Sequence, residues 1–146
     1  MKRIIGPVAL GLLALAGCSR APDVASVQAL DPWCRPSAAG AFTAACYVTL
    51  TANTDDRLLG ATTPLAKSID IHATQIDERG VASMTMHDHG LPLPKGRAFA
   101  FKAGGDHLML MAPTKALAGG DVVPLTLTFQ KAPPLTLSAR VEAPVG

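Results

Sequence analysis

The sequence predicts an all-β fold, an antiparallel β-sandwich or barrel, for most of its 146 residues. Three observations carry that reading. Turn-forming clusters recur about every ten residues: "RPSAAG", "ANTDD", "DERG", "PLPKG", "KAGGD", "LAGGD" and "KAPP". The runs between them are short, and several alternate apolar with polar residues. Apart from the N-terminal segment, no stretch keeps helical periodicity with caps over three turns.

Taken in order, the chain opens with Lys2 and Arg3 and then "IIGPVALGLLALAG". That apolar run is too short for a permanent transmembrane helix and ends in small residues, as a secretory signal does. The junction "LAGC", Leu15 to Cys18, resembles the bacterial lipobox, whose cysteine is lipidated and becomes the new first residue. A plain signal peptide with an incidental cysteine is the simpler alternative. We therefore expect a lipoprotein signal peptide over 1–17, lipid on Cys18, a polar tether over 18–26 and one β-domain over 27–146. Ser19 rather than aspartate follows the cysteine, which among bacterial lipoproteins points to the outer membrane. The expected strands are "ACYVTLTA", "SIDIHATQI", "RAFAFKA", "HLMLMA", "VPLTLTFQ" and "LTLSARVE". Strict alternation puts Leu125, Leu127 and Phe129 on one face and Thr126, Thr128 and Gln130 on the other.

Charge and cysteine content narrow the function classes. The formal charge is +2, from 13 basic and 11 acidic residues. Lys2 and Arg3 leave with the signal, so the mature part is formally neutral. No basic run remains and only six aromatics occur, so nucleic acid finds neither an electrostatic footprint nor stacking platforms. With Cys18 lipidated, Cys34 and Cys46 remain in an oxidising compartment, where a disulfide is their expected state. A two-thiolate metal site is the rival, and the wide spacing argues against it. No phosphate-cradling glycine loop and no nucleophile–base spacing is present, so we expect no enzyme.

One stretch does not read as an ordinary strand. In "HLMLM", His107, Met109 and Met111 share one face and Leu108 and Leu110 the other. "MTM" repeats the arrangement with Met84 and Met86, and "SIDIH" puts Ser68, Asp70 and His72 on one face. Residues two apart on a strand are roughly 6.6 Å apart, close enough for long side chains to converge on one ion. Thioether sulfur is neutral and soft; it suits Cu(I) and binds Zn(II), Mg(II) or Ca(II) poorly, and imidazole supports copper too. Against this, methionine is an ordinary filler of irregular cores.

From about Leu30 to Val141 the chain resembles the periplasmic copper chaperones of the PCuAC type. "WCRP", "YVTLTAN", "DRLLGATTPLAKSIDIHAT", "GLPLPKG", "KAGGDHLMLM" and "LAGGDVVPLTLTF" carry the resemblance, the last three most specifically. It implies a cupredoxin-like or immunoglobulin-like β-sandwich and a Cu(I) site of His72, Met84, His107 and Met109. Met84 is placed by its seven-position distance from Leu91. The methionine that family members often carry just after the first histidine is absent from "ATQIDERG". Where the family usually continues "MRPVEGG", this chain has "MHDHG". His87 and His89, with Met86 and Met111 nearby, are accessory donor candidates, the histidines suiting Cu(II) or Zn(II). A solvated turn is the plainer reading of "HDH".

The resemblance implies carriage: a monomer that binds Cu(I) in the periplasm and passes it to an apo-metalloprotein. The usual recipient in the family is the copper centre of a respiratory haem-copper oxidase, often alongside a thioredoxin-like assembly protein. Contact with the membrane would come only through the lipid anchor. The alternatives are a copper-buffering or resistance lipoprotein that keeps its metal and a structural β-sandwich with a methionine-rich core. An electron-transfer cupredoxin is disfavoured, because a blue-copper site needs a thiolate.

Overall fold

A computed structural model describes residues 24–142; the signal segment, Cys18, most of the tether and the last four residues lie outside them. Among the described residues every regular element is a strand: β1 Val27–Cys34, β2 Thr43–Ala52, β3 Asp56–Thr62, β4 Ala66–Ile76, β5 Ala82–Met86, β6 Leu91–Leu93, β7 Ala98–Ala100, β8 His107–Pro113, β9 Val122–Phe129 and β10 Leu135–Val141. The all-β expectation holds. The six runs read as strands fall in β2, β4, β7, β8, β9 and β10.

The two-sheet sandwich is replaced by a single sheet that closes on itself. Neighbours run β4-β8-β2-β1-β10-β9-β3, and β3 returns to β4 through Ala61 opposite Ile69. Seven strands thus form a barrel, and closure removes most of the edges a sandwich would leave. Three long strands each share one edge between two partners. β4 gives its start to β3 and its end to β5; β3 pairs with β6 as well; β2 takes β8 near its start and β7 near its end. The pairing is not wholly antiparallel, since β1 runs parallel to β10, Trp33 beside Arg140 and Cys34 beside Val141.

Alternation decides which side chains fill the barrel. In β9, Val123, Leu125, Leu127 and Phe129 are buried, while Thr126 and Thr128 face outward, as the sequence pattern requires. β4 sends Ile69, Ile71 and Ala73 inward, and β8 sends Leu108 and Leu110. Leu50, Leu58, Leu108, Leu110, Leu125 and Leu127 are fully buried, each worth about 1.5–3 kcal/mol relative to exposure. Cys34 and Cys46 lie directly opposite each other on β1 and β2 and form the expected disulfide inside this core. β1 breaks register between Leu30 and Trp33, where Asp31 takes φ +49°, a left-handed conformation that aspartate tolerates better than most residues.

One buried charge holds a corner of the barrel. The Asp56 carboxylate accepts backbone N–H bonds from Arg57 at 2.7 Å, Lys131 at 2.9 Å and Ala132 at 2.8 Å, tying the start of β3 to the loop after β9. Burial pushes this carboxyl upward, but the backbone donors of Arg57, Ala132, Lys131 and Gln130 together outweigh it and hold it below its ordinary value. A depressed carboxyl adds stability above its unfolded pKa and loses it as pH falls through the folded one. Wild-type stability should therefore decline in acid below about pH 4. Asp56→Ala should cost about 2–3 kcal/mol at neutral pH, read by urea unfolding, and should flatten the acid decline.

Candidate metal centre

The pairing of β4 with its two neighbours assembles the candidate donors. His72 on β4 lies directly opposite His107 on β8 and, across its other edge, directly opposite Met86 on β5. Met86, His72 and His107 therefore stand side by side in one row across three strands. Cβ atoms of directly opposed residues are about 4.5–5.5 Å apart, so neighbours in this row are within reach of one another. The two imidazole centroids are 5.6 Å apart, edge to face at 75°. Met109 follows His107 on the same face, one row along, opposite Asp70. Met84 lies one row the other way, opposite Thr74 and diagonal to His72. Met111 shares the face but pairs with Ser68 and Thr43, two rows from the histidines and roughly 13 Å along the strand from His107.

Exposure separates ligand from filler. Met84 is 60% and Met86 55% exposed, on a strand with no buried residue. Neither fills the core, so the filler reading fails for β5. Met109 is half-buried, and Leu108 and Leu110 carry β8's share of the barrel interior. The donor face lies outside the barrel and the hydrophobic core inside it.

The two histidines are prepared differently. His107 is buried, and its Nδ1 donates to the Gly105 carbonyl at 2.9 Å. A carbonyl only accepts, so Nδ1 carries a proton, and in the neutral ring the lone pair is on Nε2. Backbone hydrogen bonds of this kind orient metal-binding imidazoles and raise their basicity. The Gly105 carbonyl is placed by the "KAGGD" turn: Gly105 N–H donates to Lys102 O, Lys102 N–H donates to Asp106 O, and Gly104 takes φ +77°. His72 has its Nδ1 buried with no hydrogen-bond partner, and its Nε2 is 4.0 Å from the Asp70 carboxylate. An orphaned buried imidazole nitrogen is costly unless something binds it. An ion on this face would satisfy it.

The "MHDHG" turn follows β5 directly. His87 N–H donates to Ile71 O and Gly90 N–H to His87 O, each at 2.9 Å. Arg57 Nη1 donates to the carbonyls of His89 at 3.1 Å and Gly90 at 3.0 Å. Gly90 must be glycine: its φ is +75°, and a Cβ there would lie 2.5 Å from Leu58 O. His87 is half-buried, with Nε2 3.5 Å from the Asp106 carboxylate, whereas Asp88 and His89 are exposed. Among the described residues no three His, Cys, Asp or Glu side chains gather as a metal site, so the accessory pair His87 and His89 gains no third donor of that kind. What does gather is a mixed set of two imidazoles and neutral thioethers, the donor chemistry of a soft monovalent ion.

The sequence placed these donors on one face but missed their supports. Asp70 was visible beside His72 in "SIDIH" without an assigned role, and "GGDH" held the Gly105 carbonyl and Asp106. Arg57 offered no local signal, because it acts on a turn 32 and 33 residues away.

The barrel is of the PCuAC type, a class shown by its similarity to solved domains. The copper-bound PCuAC domain from PmoF2 is similar at 27% identity, covering 81% of this chain and 93% of that one, with a TM-score of 0.65. The apo PCuAC domain from PmoF1 gives 25%, 84%, 98% and 0.67. The solution structure of CuI-DR1885 from Deinococcus radiodurans gives 29%, 89%, 85% and 0.61. By sequence the chain belongs to the LpqE-like family, described as "Putative lipoprotein LpqE-like", which matches residues 27–141. "Putative lipoprotein Lxx21020" of Leifsonia xyli subsp. xyli (strain CTCB07) is 30% identical over 131 residues, covering 84% of this chain and 78% of the relative.

The Gly105 contact makes a prediction about His107. Nitrogen-15 shifts of the neutral ring should report the Nδ1–H tautomer with Nε2 bare. The opposite tautomer would mean that the carbonyl does not orient this imidazole.

Proposed function

We propose that this protein carries Cu(I) on the outer face of its barrel, bound by His72, His107, Met109 and a methionine of β5, and hands it to an apo-metalloprotein. The observation that carries this reading is the row Met86–His72–His107, with Met109 one step along. The copper-bound PmoF2 domain and CuI-DR1885 support copper as the cargo. So does the donor set, whose neutral ligands hold a monovalent ion at little electrostatic cost. Counting back from Leu91 favours Met84 as the β5 ligand, but strand register favours Met86, which faces His72 directly. We assign Met86 as the ligand and Met84 as the neighbouring sulfur on the same face.

The geometry suits transfer and gives it an order. Met86 is exposed on an edge strand and can be displaced first by an incoming ligand. His107 is buried and braced by Gly105, so it lets go last. Ligand exchange of this kind never releases the ion to water, and it needs no catalytic group. The recipient we propose is the copper centre of a respiratory haem-copper oxidase, with a thioredoxin-like protein as a co-worker. The lipoprotein relatives support an envelope location through a lipid on Cys18, after a signal over 1–17 and a tether over 18–26.

Competitive titration against a chromophoric Cu(I) chelator tests the site. Wild type should take one equivalent, and His107→Ala should abolish tight binding. Met86→Ala should weaken binding about a hundredfold, roughly 2.8 kcal/mol, and Met84→Ala much less. Equal losses in the two methionine variants would refute the register assignment, and no binding by wild type would refute the function. Retention of copper in the presence of an apo-oxidase copper fragment would mark the protein as a buffer instead of a carrier.

A further inference from the structure

The methionine strand and the histidine strand are not neighbours. β5 and β8 pair with opposite edges of β4, so backbone pairing alone relates them only through β4. β5 is also an edge strand, and every one of its residues is exposed, so no core packing fixes its position. One side-chain pair spans the gap. His87 Nε2 faces Asp106 Oδ2 at 3.5 Å, and both side chains are about three-quarters covered, 27% and 23% exposed. His87 directly follows Met86, and Asp106 directly precedes His107. Each partner is thus the covalent neighbour of a donor, on the two segments that β4 keeps apart.

Resting on the copper reading above, we infer that His87 and Asp106 form a latch that sets the distance between the Met86 sulfur and the His107 imidazole. Both are positioning residues, and neither touches the ion. Two details favour this role over a casual ion pair. His87 Nε2 is buried and makes no hydrogen bond, so the Asp106 carboxylate is the group that answers its polarity. The backbone around each partner is already fixed: His87 N–H is bonded to Ile71 O, Asp106 O accepts from Lys102 N–H, and Arg57 clamps the turn after His87. Two side chains on anchored backbone lose little freedom when they meet, unlike pairs of long, free surface side chains. The latch belongs to the "MHDHG" segment, where this chain departs from the "MRPVEGG" of the family it resembles.

The test uses the full chain in four forms: wild type, Asp106→Ala, His87→Ala and the double variant. Cu(I) affinity is read by chelator competition, sulfur ligands per copper by X-ray absorption, and fold integrity by the thermal midpoint of the copper-free protein. Asp106→Ala should bind Cu(I) about tenfold more weakly and show one fewer sulfur per copper, with the copper-free midpoint little changed. The double variant should be no worse than either single one, because both remove the same contact. Asp106→Asn should recover most of the loss, since its amide oxygen still faces His87. Wild-type affinity and sulfur count in Asp106→Ala would overturn the latch, as would losses that add in the double variant, which would make His87 a ligand. An affinity loss matched by a fallen midpoint, and not recovered by Asn, would reduce the pair to general stability and also overturn it. Absence of Cu(I) binding by wild type would remove the proposed function and this inference together; the other outcomes leave that function standing.

Discussion

The register of β4 is the constraint on which the site depends. His72 meets His107 on one side and Met86 on the other only because β4 is paired residue for residue with both neighbours. Side chains alternate along a strand, so a slip of one residue on β4 would send His72 into the barrel and bring Ile71 out to the donor face. The core prevents that slip. Ile69, Ile71 and Ala73 are buried on the face of β4 opposite His72, and Leu108 and Leu110 are buried on the face of β8 opposite Met109. The hydrophobic effect that closes the barrel is thus also what aligns the donors, and the site needs no separate folding energy of its own.

That division of labour accounts for the differing environments of the donors. Residues on β8, a strand paired on both edges, inherit rigidity: His107 is buried and hydrogen-bonded to Gly105. Residues on β5, paired on one edge, inherit access: Met84 and Met86 are more than half exposed. His72, on the strand between them, is intermediate and keeps one imidazole nitrogen unpartnered. A gradient from braced to accessible is therefore written into the order of strands before any ion is considered.

Much of this was legible in the sequence, and the limits have physical causes. The alternation of "PLTLTF" fixed the inward face of β9, because period-2 burial is a local property. The same logic put His107 with Met109 and Ser68, Asp70 with His72. The disulfide followed from compartment and cysteine count. Barrel closure did not, because it rests on the single pairing of Ala61 with Ile69, which no local pattern announces. "DRLLGAT" and "VQALDPWC" were not read as strands: the first carries a glycine, and the second contains a register break at Asp31 and Pro32. That Met86, and not Met84, is the residue directly opposite His72 was likewise hidden. Chain distance to Leu91 points to Met84, as the resemblance implies, whereas the residue that faces His72 is set by strand register, a property of the assembled sheet.

The placement of sulfur has a consequence for how the protein meets oxidants. The two cysteine sulfurs are sealed in the core as a disulfide, fully buried and already oxidised. The two methionines of β5 are more than half exposed. An oxidant that reaches the protein meets the thioethers first and converts them to sulfoxides, which are polar and chiral. Since β5 contributes no buried residue to the barrel interior, such damage would leave the fold standing and, on the function proposed above, stop copper binding. Methionine sulfoxide is reversible by a sulfoxide reductase, so the proposed site could be restored without resynthesis.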